Sequence, residues 1–242
     1  MISQRKLTAR HLHSIMSTVQ ADFDRIALVS PDGSVQNNHY HKFLLRQLPI
    51  TCQKALEIGC GKGEFSRLLA ARSERVLALD LSSEMIRIAR ASSAHLANLE
   101  FQIADVMRYD LPAEGFDCIA TIATLHHLPL REILLKMKAA LKPGGVLLVL
   151  DLFALERNIF TPAGFIDSVL LNGLAMPLSI SLRLIHFDRI RPRPEARNAW
   201  AAHERHDIYP TMNEVRALCA DVLPGAKVRK HLLWRYSIVW RK

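Results

Sequence analysis

Lys54-Ala55-Leu56-Glu57-Ile58-Gly59-Cys60-Gly61-Lys62-Gly63 decides how this chain folds. A short apolar run that breaks into glycines is what a buried parallel strand looks like at its C-terminal end. Phe65 to Ala71 then has helical spacing, so the glycines form a turn from strand to helix. Glycine lets the backbone turn sharply and lets a ligand approach where a Cβ would collide. The helix behind the turn offers unpaired N–H groups to an anionic or carboxylate-bearing ligand. A plain strand-to-helix turn needs one glycine, not three in alternation.

Outward from this stretch the same rhythm repeats. Arg75 to Leu79 is a second apolar run and ends in Asp80. Ser82 or Ser83 caps a helix running to about Ser92, with Glu84 in its first turn. Leu99 to Ile103 is a third strand ending in Ala104-Asp105, and Phe116 to Ile122 is a fourth. Leu130 to Leu141 is helical, Lys142-Pro143-Gly144-Gly145 is a turn, and Val146 to Leu152 is a fifth strand. Five alternations with short connections predict an α/β protein, a mostly parallel sheet with helices on both faces. Beyond an interruption, a helix from Met212 to Cys219 leads to a strand at Ala226 to Arg229 and a last strand at His231 to Trp240. These two strands are joined by little more than Lys230, which predicts a tight antiparallel end to the sheet.

Ahead of the core, Leu12, Ile15, Met16, Val19 and Phe23 share one helical face. Ser30-Pro31-Asp32-Gly33 is a turn, and a short helix runs from about His39 to Gln47. The expected organisation is an N-terminal helical cap at 1–50, the core at 51–154, a lid insertion at 155–208, and a closing helix with two strands at 209–242.

At 242 residues, half of them apolar and 23% charged, the chain has the composition of one sizeable globular domain. The N-terminus lacks an apolar core of signal-peptide length. Val146 to Leu155 is too short to cross a bilayer, and Gly164 to Leu182 is broken by Asp167, Asn172 and Pro177. The expectation is a cytoplasmic protein with no transmembrane segment. Cys52, Cys60, Cys118 and Cys219 form no CxxC pair and have no histidine at zinc-ligand spacing, which argues for reduced thiols and against a structural metal.

Asp80 and Asp105 extend the glycine turn into a site. A carboxylate at the tip of the second strand is placed to accept hydrogen bonds from both hydroxyls of a ribose. Asp105, at the tip of the third, can meet an exocyclic amine, with Ala104 and Val106 against the ring. Each aspartate alone is an ordinary cap or loop residue. Three acids, Glu57 included, ending three successive strands on one edge of a sheet point to an adenosine ligand.

Taken together, these residues resemble the class I S-adenosylmethionine-dependent methyltransferases, particularly those acting on small molecules. The resemblance spans about Lys54 to Phe153. It rests on Glu57-x-Gly59-x-Gly61-x-Gly63, Asp80, Ala104-Asp105, Phe116-Asp117-x-Ile119, Leu125-His126-His127-Leu128 and Leu141-Lys142-Pro143-Gly144-Gly145. A Rossmann dehydrogenase would share the glycines but leaves the Leu-His-His-Leu and Lys-Pro-Gly-Gly segments without a role. The resemblance implies a Rossmann-like seven-stranded sheet with an antiparallel last strand. It implies S-adenosylmethionine as cofactor and S-adenosylhomocysteine as product. Glu57, Gly59, Cys60, Gly61 and Gly63 would hold the methionine end, and Asp80 with Leu81 the ribose. Ala104, Asp105 and Val106 would hold the adenine, and Thr121, Ile122 and Ala123 would line the sulfonium region.

The sulfonium carries its own leaving group, so the protein must place a nucleophile in line with the methyl carbon and exclude water. For a hydroxyl or acidic-carbon acceptor a general base helps, and His126 and His127 are the candidates. The two side chains point in different directions, so at most one meets the substrate, and a structural loop histidine is the competing reading. Tyr40 and His41, on the N-terminal helix, are weaker candidates than this pair, and Tyr40 could cover the sulfonium by a cation–π contact.

The insertion from about Leu155 to Asp207 follows the fifth strand, where a lid over the strand ends would attach. Its first half is apolar, with Phe160, Phe165, Ile166, Val169, Leu170, Leu171, Leu174 and Met176. Its second half carries Arg183, Arg189, Arg191, Arg193, Arg197 and Arg205 against Asp188, Glu195 and Glu204. Three uses compete: a lid enclosing a small, partly hydrophobic acceptor, a patch for peripheral contact with a membrane, or an RNA-binding face. The net charge of +9 invites the last. Aromatic residues are not interleaved with the arginines as base stacking prefers, so the small-molecule acceptor leads. A catalytically silent cofactor-binding protein is the alternative of a different class.

Overall fold

The computed structural model describes residues 9–30, 35–155, 161–165, 169, 172–187, 193–204 and 207–242. Among them a seven-stranded sheet has the order β3-β2-β1-β4-β5-β7-β6. The strands are β1 (Lys54–Ile58), β2 (Arg75–Asp80), β3 (Leu99–Ile103), β4 (Phe116–Ile122), β5 (Leu141–Leu152), β6 (Lys227–Lys230) and β7 (Arg235–Arg241). The first five pair in parallel, and β7 runs antiparallel between β5 and β6.

Both faces of this sheet are covered, which is why its strands are continuous apolar runs rather than alternating ones. Leu147 and Val149 of β5 join Ile58 and Ile119 on one face, under α6 (Leu130–Ala140) and α10 (Met212–Val222). Val146, Leu148 and Leu150 join Ala55 and Ala120 on the other, under Phe65 and Leu69 of α4 (Glu64–Ala70) and Leu44 of α3 (His41–Leu45). Period-two alternation thus assigns each β5 side chain to one of two cores. α10 begins with a capping box between Thr211 and Glu214.

β1 and β4 are neighbours, while the chain leaves β1 toward β2 and returns on its other side. This reversal opens a crevice at the C-terminal ends of the strands. The long helix α1 (Ala9–Val29) crosses that edge and packs against α5 (Ser83–Ser92) and α9 (Pro194–His203). Asp24 of α1 fixes the crossing: its Oδ1 accepts from Ser82 Oγ at 2.5 Å and from the Glu84 N–H at 3.1 Å. The carboxylate therefore lies at the positive N-terminus of α5, whose N-cap is Ser82. α2 (Val35–Asn38) meets α8 (Asn172–Phe187), a helix that contains Pro177, and a single turn, α7, spans Pro162–Phe165.

Some boundaries differ from those read in the sequence. Of the helix expected at His39 to Gln47 only α3 forms, preceded by the separate short α2 and a turn at His39-Tyr40. The last strand begins at Arg235 rather than His231, because Leu233 and Trp234 take positive φ values of 59° and 57° to make the hairpin turn. Side chains of Leu12, Ile15 and Met16, the turn Pro31-Asp32-Gly33, and Phe160, Ile166, Leu170, Leu171, Asp188, Arg189, Arg191 and Arg205 lie outside the described residues. No described helix is long and apolar enough to cross a membrane.

Candidate functional site

The crevice is a cavity whose floor is the glycine loop. The N–H groups of Gly59 and Cys60 donate to Leu79 O at 2.8 and 3.0 Å, tying the loop to β2. The Gly61 N–H donates to Asp80 Oδ2 at 2.7 Å, and the Ser82 N–H to Oδ1 at 2.9 Å. The glycines do different jobs. A Cβ on Gly59 would stand 2.1 Å from Thr124 Oγ1 and one on Gly63 2.7 Å from the Phe101 ring. A Cβ on Gly61 would meet nothing within 4 Å, because it would project into the cavity. Gly59 and Gly61 line that space, whereas Gly63 does not; it lets α4 close against β3. Its assignment to the cofactor is corrected to packing.

Two carboxylates stand in this wall. Glu57 is 2% exposed, and burial pushes its acid up to about 8, against the opposing hydrogen bond donated by Ser66 Oγ. Asp80 is raised by burial too, and the N–H groups of Ser82 and Gly61 pull it partly back. Both therefore favour partners that bring hydrogen-bond donors or positive charge. Leu81, Ala104, Asp105 and Val106 continue the wall. Asp105 Oδ1 accepts the Met107 N–H at 2.9 Å, and its other oxygen is 3.6 Å from Arg108 Nε.

The opposite wall comes from the end of β4 and from the helices that cross it. Ile122, Ala123, Thr124 and His127 line the cavity there, with Ala123 at a φ of 51°, and Cys60 lines it from the glycine loop. Thr121 does not: it is fully buried inside β4, with its hydroxyl lacking a hydrogen-bond partner among the described residues. Alternation along β4 turns its side chain away from the site. Phe23 and Ile26 of α1 and Trp200 of α9 form the roof, and Asn37, Asn38 and His41 close one side. Asn37 is held by Arg235, whose Nε donates to its Oδ1 at 2.7 Å. Burial lowers His41 to about 4, so its imidazole is neutral at ordinary pH.

Tyr40 is another correction. Its ring is buried in the core under α3, and its hydroxyl donates to Leu232 O at 2.7 Å. The chain break between α2 and α3 turns Tyr40 inward and leaves its neighbour His41 on the cavity.

The two imidazoles stay close, 3.9 Å between ring centroids, and only one of them lines the cavity. His127 lines the cavity, its Nδ1 3.3 Å from Asp207 Oδ1. Burial lowers His127 despite that carboxylate. His126 turns away: its N–H donates to Asp151 Oδ2 at 3.1 Å and its Nδ1 is 2.6 Å from Asp151 Oδ1. It holds the loop to β5 and does not line the cavity. Asp207 also accepts from Tyr209 Oη at 2.9 Å, and stays below the ordinary carboxylate range because burial is outweighed by His127 and Tyr209.

Sequence reasoning missed Asp207, His203, Trp200 and Thr124 as site residues. Nothing along the chain joins Asp207 to His127, since an insertion separates them. Phe23 was legible only as part of an apolar stripe. All four cysteines are free and buried.

Residues 55–145 match a family model described as a methyltransferase domain. An uncharacterized methyltransferase of Mycobacterium tuberculosis is 30% identical over 209 residues, 85% of this chain and 95% of that protein. The ubiquinone biosynthesis O-methyltransferase of Coxiella burnetii is 32% identical over 108 residues, covering 44% of this chain and 46% of that enzyme. The N-methyltransferase NodS of Bradyrhizobium japonicum, solved with S-adenosylhomocysteine, has a TM-score of 0.61 at 15% identity. That likeness covers 93% of this chain and 98% of NodS, and shows a shared fold.

Proposed function

The chain belongs to the class I S-adenosylmethionine-dependent methyltransferases, and we propose that it methylates a small, partly hydrophobic acceptor held between the cofactor and His127. The observation that carries this is one cavity with two unlike walls: glycines and carboxylates opposite an aromatic roof.

The carboxylate wall fits the cofactor. The open space at Gly61 accepts a chain that a side chain would exclude, and Glu57, Gly59 and Cys60 take the methionine end beside it. Asp80, with Leu81, takes the ribose: each of its oxygens accepts one backbone N–H and keeps a lone pair for a ribose hydroxyl. Ala104, Asp105 and Val106 take the adenine, and Ile122 and Ala123, with Thr124, line the sulfonium region. Bound there, S-adenosylmethionine supplies an activated methyl group with a neutral thioether as leaving group.

The chain's own part in the chemistry is placement. Phe23, Ile26 and Trp200 cover the acceptor end, which favours an apolar body and excludes water. His127 is the polar group facing that end, and it orients the reacting atom by a hydrogen bond.

Native mass spectrometry of the purified protein, with ligands identified after denaturation, tests this reading. The expected release is S-adenosylmethionine or S-adenosylhomocysteine together with a low-mass acceptor or its methylated product. A protein that methylates bulk RNA and leaves every offered small hydroxyl and amine compound unmodified would overturn the acceptor class.

A further inference from the structure

Behind His127, on the side away from the glycine loop, four donor side chains converge. His126 and His127 come from the turn after β4, and His203 and Asp207 from the end of the insertion. Their side chains are only 3–7% exposed. One donor atom each from His126, His127 and Asp207 lies within 4.8 Å of the other two. His126 Nε2 is 3.9 Å from Asp207 Oδ2, His127 Nδ1 is 3.3 Å from Oδ1, and His203 Nε2 is 3.9 Å from the same oxygen.

The outer contacts select which nitrogens face inward. Asp151 Oδ1 is 2.6 Å from His126 Nδ1, and Asp22 Oδ2 is 3.3 Å from His203 Nδ1. A carboxylate on Nδ1 keeps the proton there and leaves Nε2 with its lone pair, the arrangement that orients metal-binding imidazoles. Both Nε2 atoms face Asp207. A histidine–aspartate hydrogen-bond network accounts for His127 and Tyr209 but not for His203 Nε2. That atom is buried with no hydrogen-bond partner among the described residues.

We propose that His126, His127, His203 and Asp207 bind one divalent transition-metal ion of the zinc class. Bonds of about 2.0–2.1 Å in a tetrahedral site put the donors about 3.4 Å apart; each histidine stands 3.3 to 3.9 Å from one or the other Asp207 oxygen, so His126, His127 and Asp207 form the preassembled part of the site and His203 moves in as the fourth ligand. Three imidazoles and a carboxylate suit zinc, iron(II) or cobalt(II) rather than the oxygen-seeking magnesium or calcium. Asp207, Asp151 and Asp22 supply the negative charge that two positive charges require. The cysteines offer no metal site; these ligands come from segments that spacing along the chain cannot connect. The ion fastens the end of the insertion to the turn after β4, with His127 shared between that clasp and the cavity wall.

The test uses the untagged, full-length protein, stripped with a chelator and shown by circular dichroism to remain folded. Cobalt(II) is expected to bind at about one equivalent with visible d–d absorption, and zinc(II) to compete it away and raise the melting temperature. His203→Ala and Asp207→Asn each lower zinc affinity at least about tenfold, and Asp151→Asn, with all four ligands intact, lowers it about 10–100-fold. Folded wild-type protein that gives no cobalt bands and no thermal shift overturns the proposal, as do folded variants that bind zinc like the wild type. S-adenosylhomocysteine affinity, measured on the same samples, separates failure of this site from failure of the cofactor reading, because His203 and Asp207 lie outside the carboxylate wall.

Discussion

Glu57 is an acid buried in an apolar strand, and its proton carries a measurable consequence. Its folded value of about 8 lies above its ordinary value of 4.5, with burial as the cause. A raised acid contributes stability that is complete below the ordinary value and is lost as pH rises through the folded one. Without cofactor, wild-type melting temperature should therefore fall relative to Glu57→Gln between about pH 4.5 and about pH 8. Differential scanning calorimetry across that range checks it, and parallel curves for the two proteins would show that Glu57 is already ionised. Residue identities at this wall were legible because chemistry fixes them: Gly61 must be bare, and Asp80 must end its strand. Gly63 looked the same on paper, yet its neighbour is Phe101, a contact across elements that no local pattern displays. Tyr40 and Thr121 failed for a related reason. Which way a side chain points depends on the break between α2 and α3 and on the phase of β4, and both are set by tertiary packing.

At the scale of elements, the core strands were readable because burial on both faces makes them continuous apolar runs between glycines and acids. The short pieces around His39-Tyr40 and the Leu233-Trp234 turn were not, since neither contains the glycine that usually signals a reversal. How α1 is fastened was equally hidden, because Asp24 acts on a helix that begins far along the chain. Asp24→Ala removes an acceptor from Ser82 and from the N-terminus of α5. The expected loss is about 1 kcal/mol of stability, with faster amide exchange in the C-terminal half of α1. Hydrogen-exchange mass spectrometry reads both helices at once. Unchanged exchange in α1 would mean that apolar contacts of Ile26 and Ala27 with Met85 and Ala199 hold it alone.

For the whole molecule, the sheet order places Glu57, Asp80 and Asp105 on one edge, and the helices outside the core bring Phe23 and Trp200 over it. Cofactor binding follows from the first arrangement, and acceptor choice from the second. The first was legible because it lies within one contiguous stretch of about a hundred residues. The second was not, because Phe23, His127, Trp200 and Asp207 meet only when the insertion folds back on the N-terminal helix. The account stands most directly on the carboxylate wall being the place where the cofactor binds. Calorimetric titration of S-adenosylhomocysteine into wild type, Asp80→Ala and Tyr40→Phe tests it. Wild type should bind, Asp80→Ala should lose about 1.5–3 kcal/mol, the range for hydrogen bonds to a charged group, and Tyr40→Phe should bind like wild type. Asp80→Ala binding with unchanged affinity, or Tyr40→Phe losing as much, would contradict it.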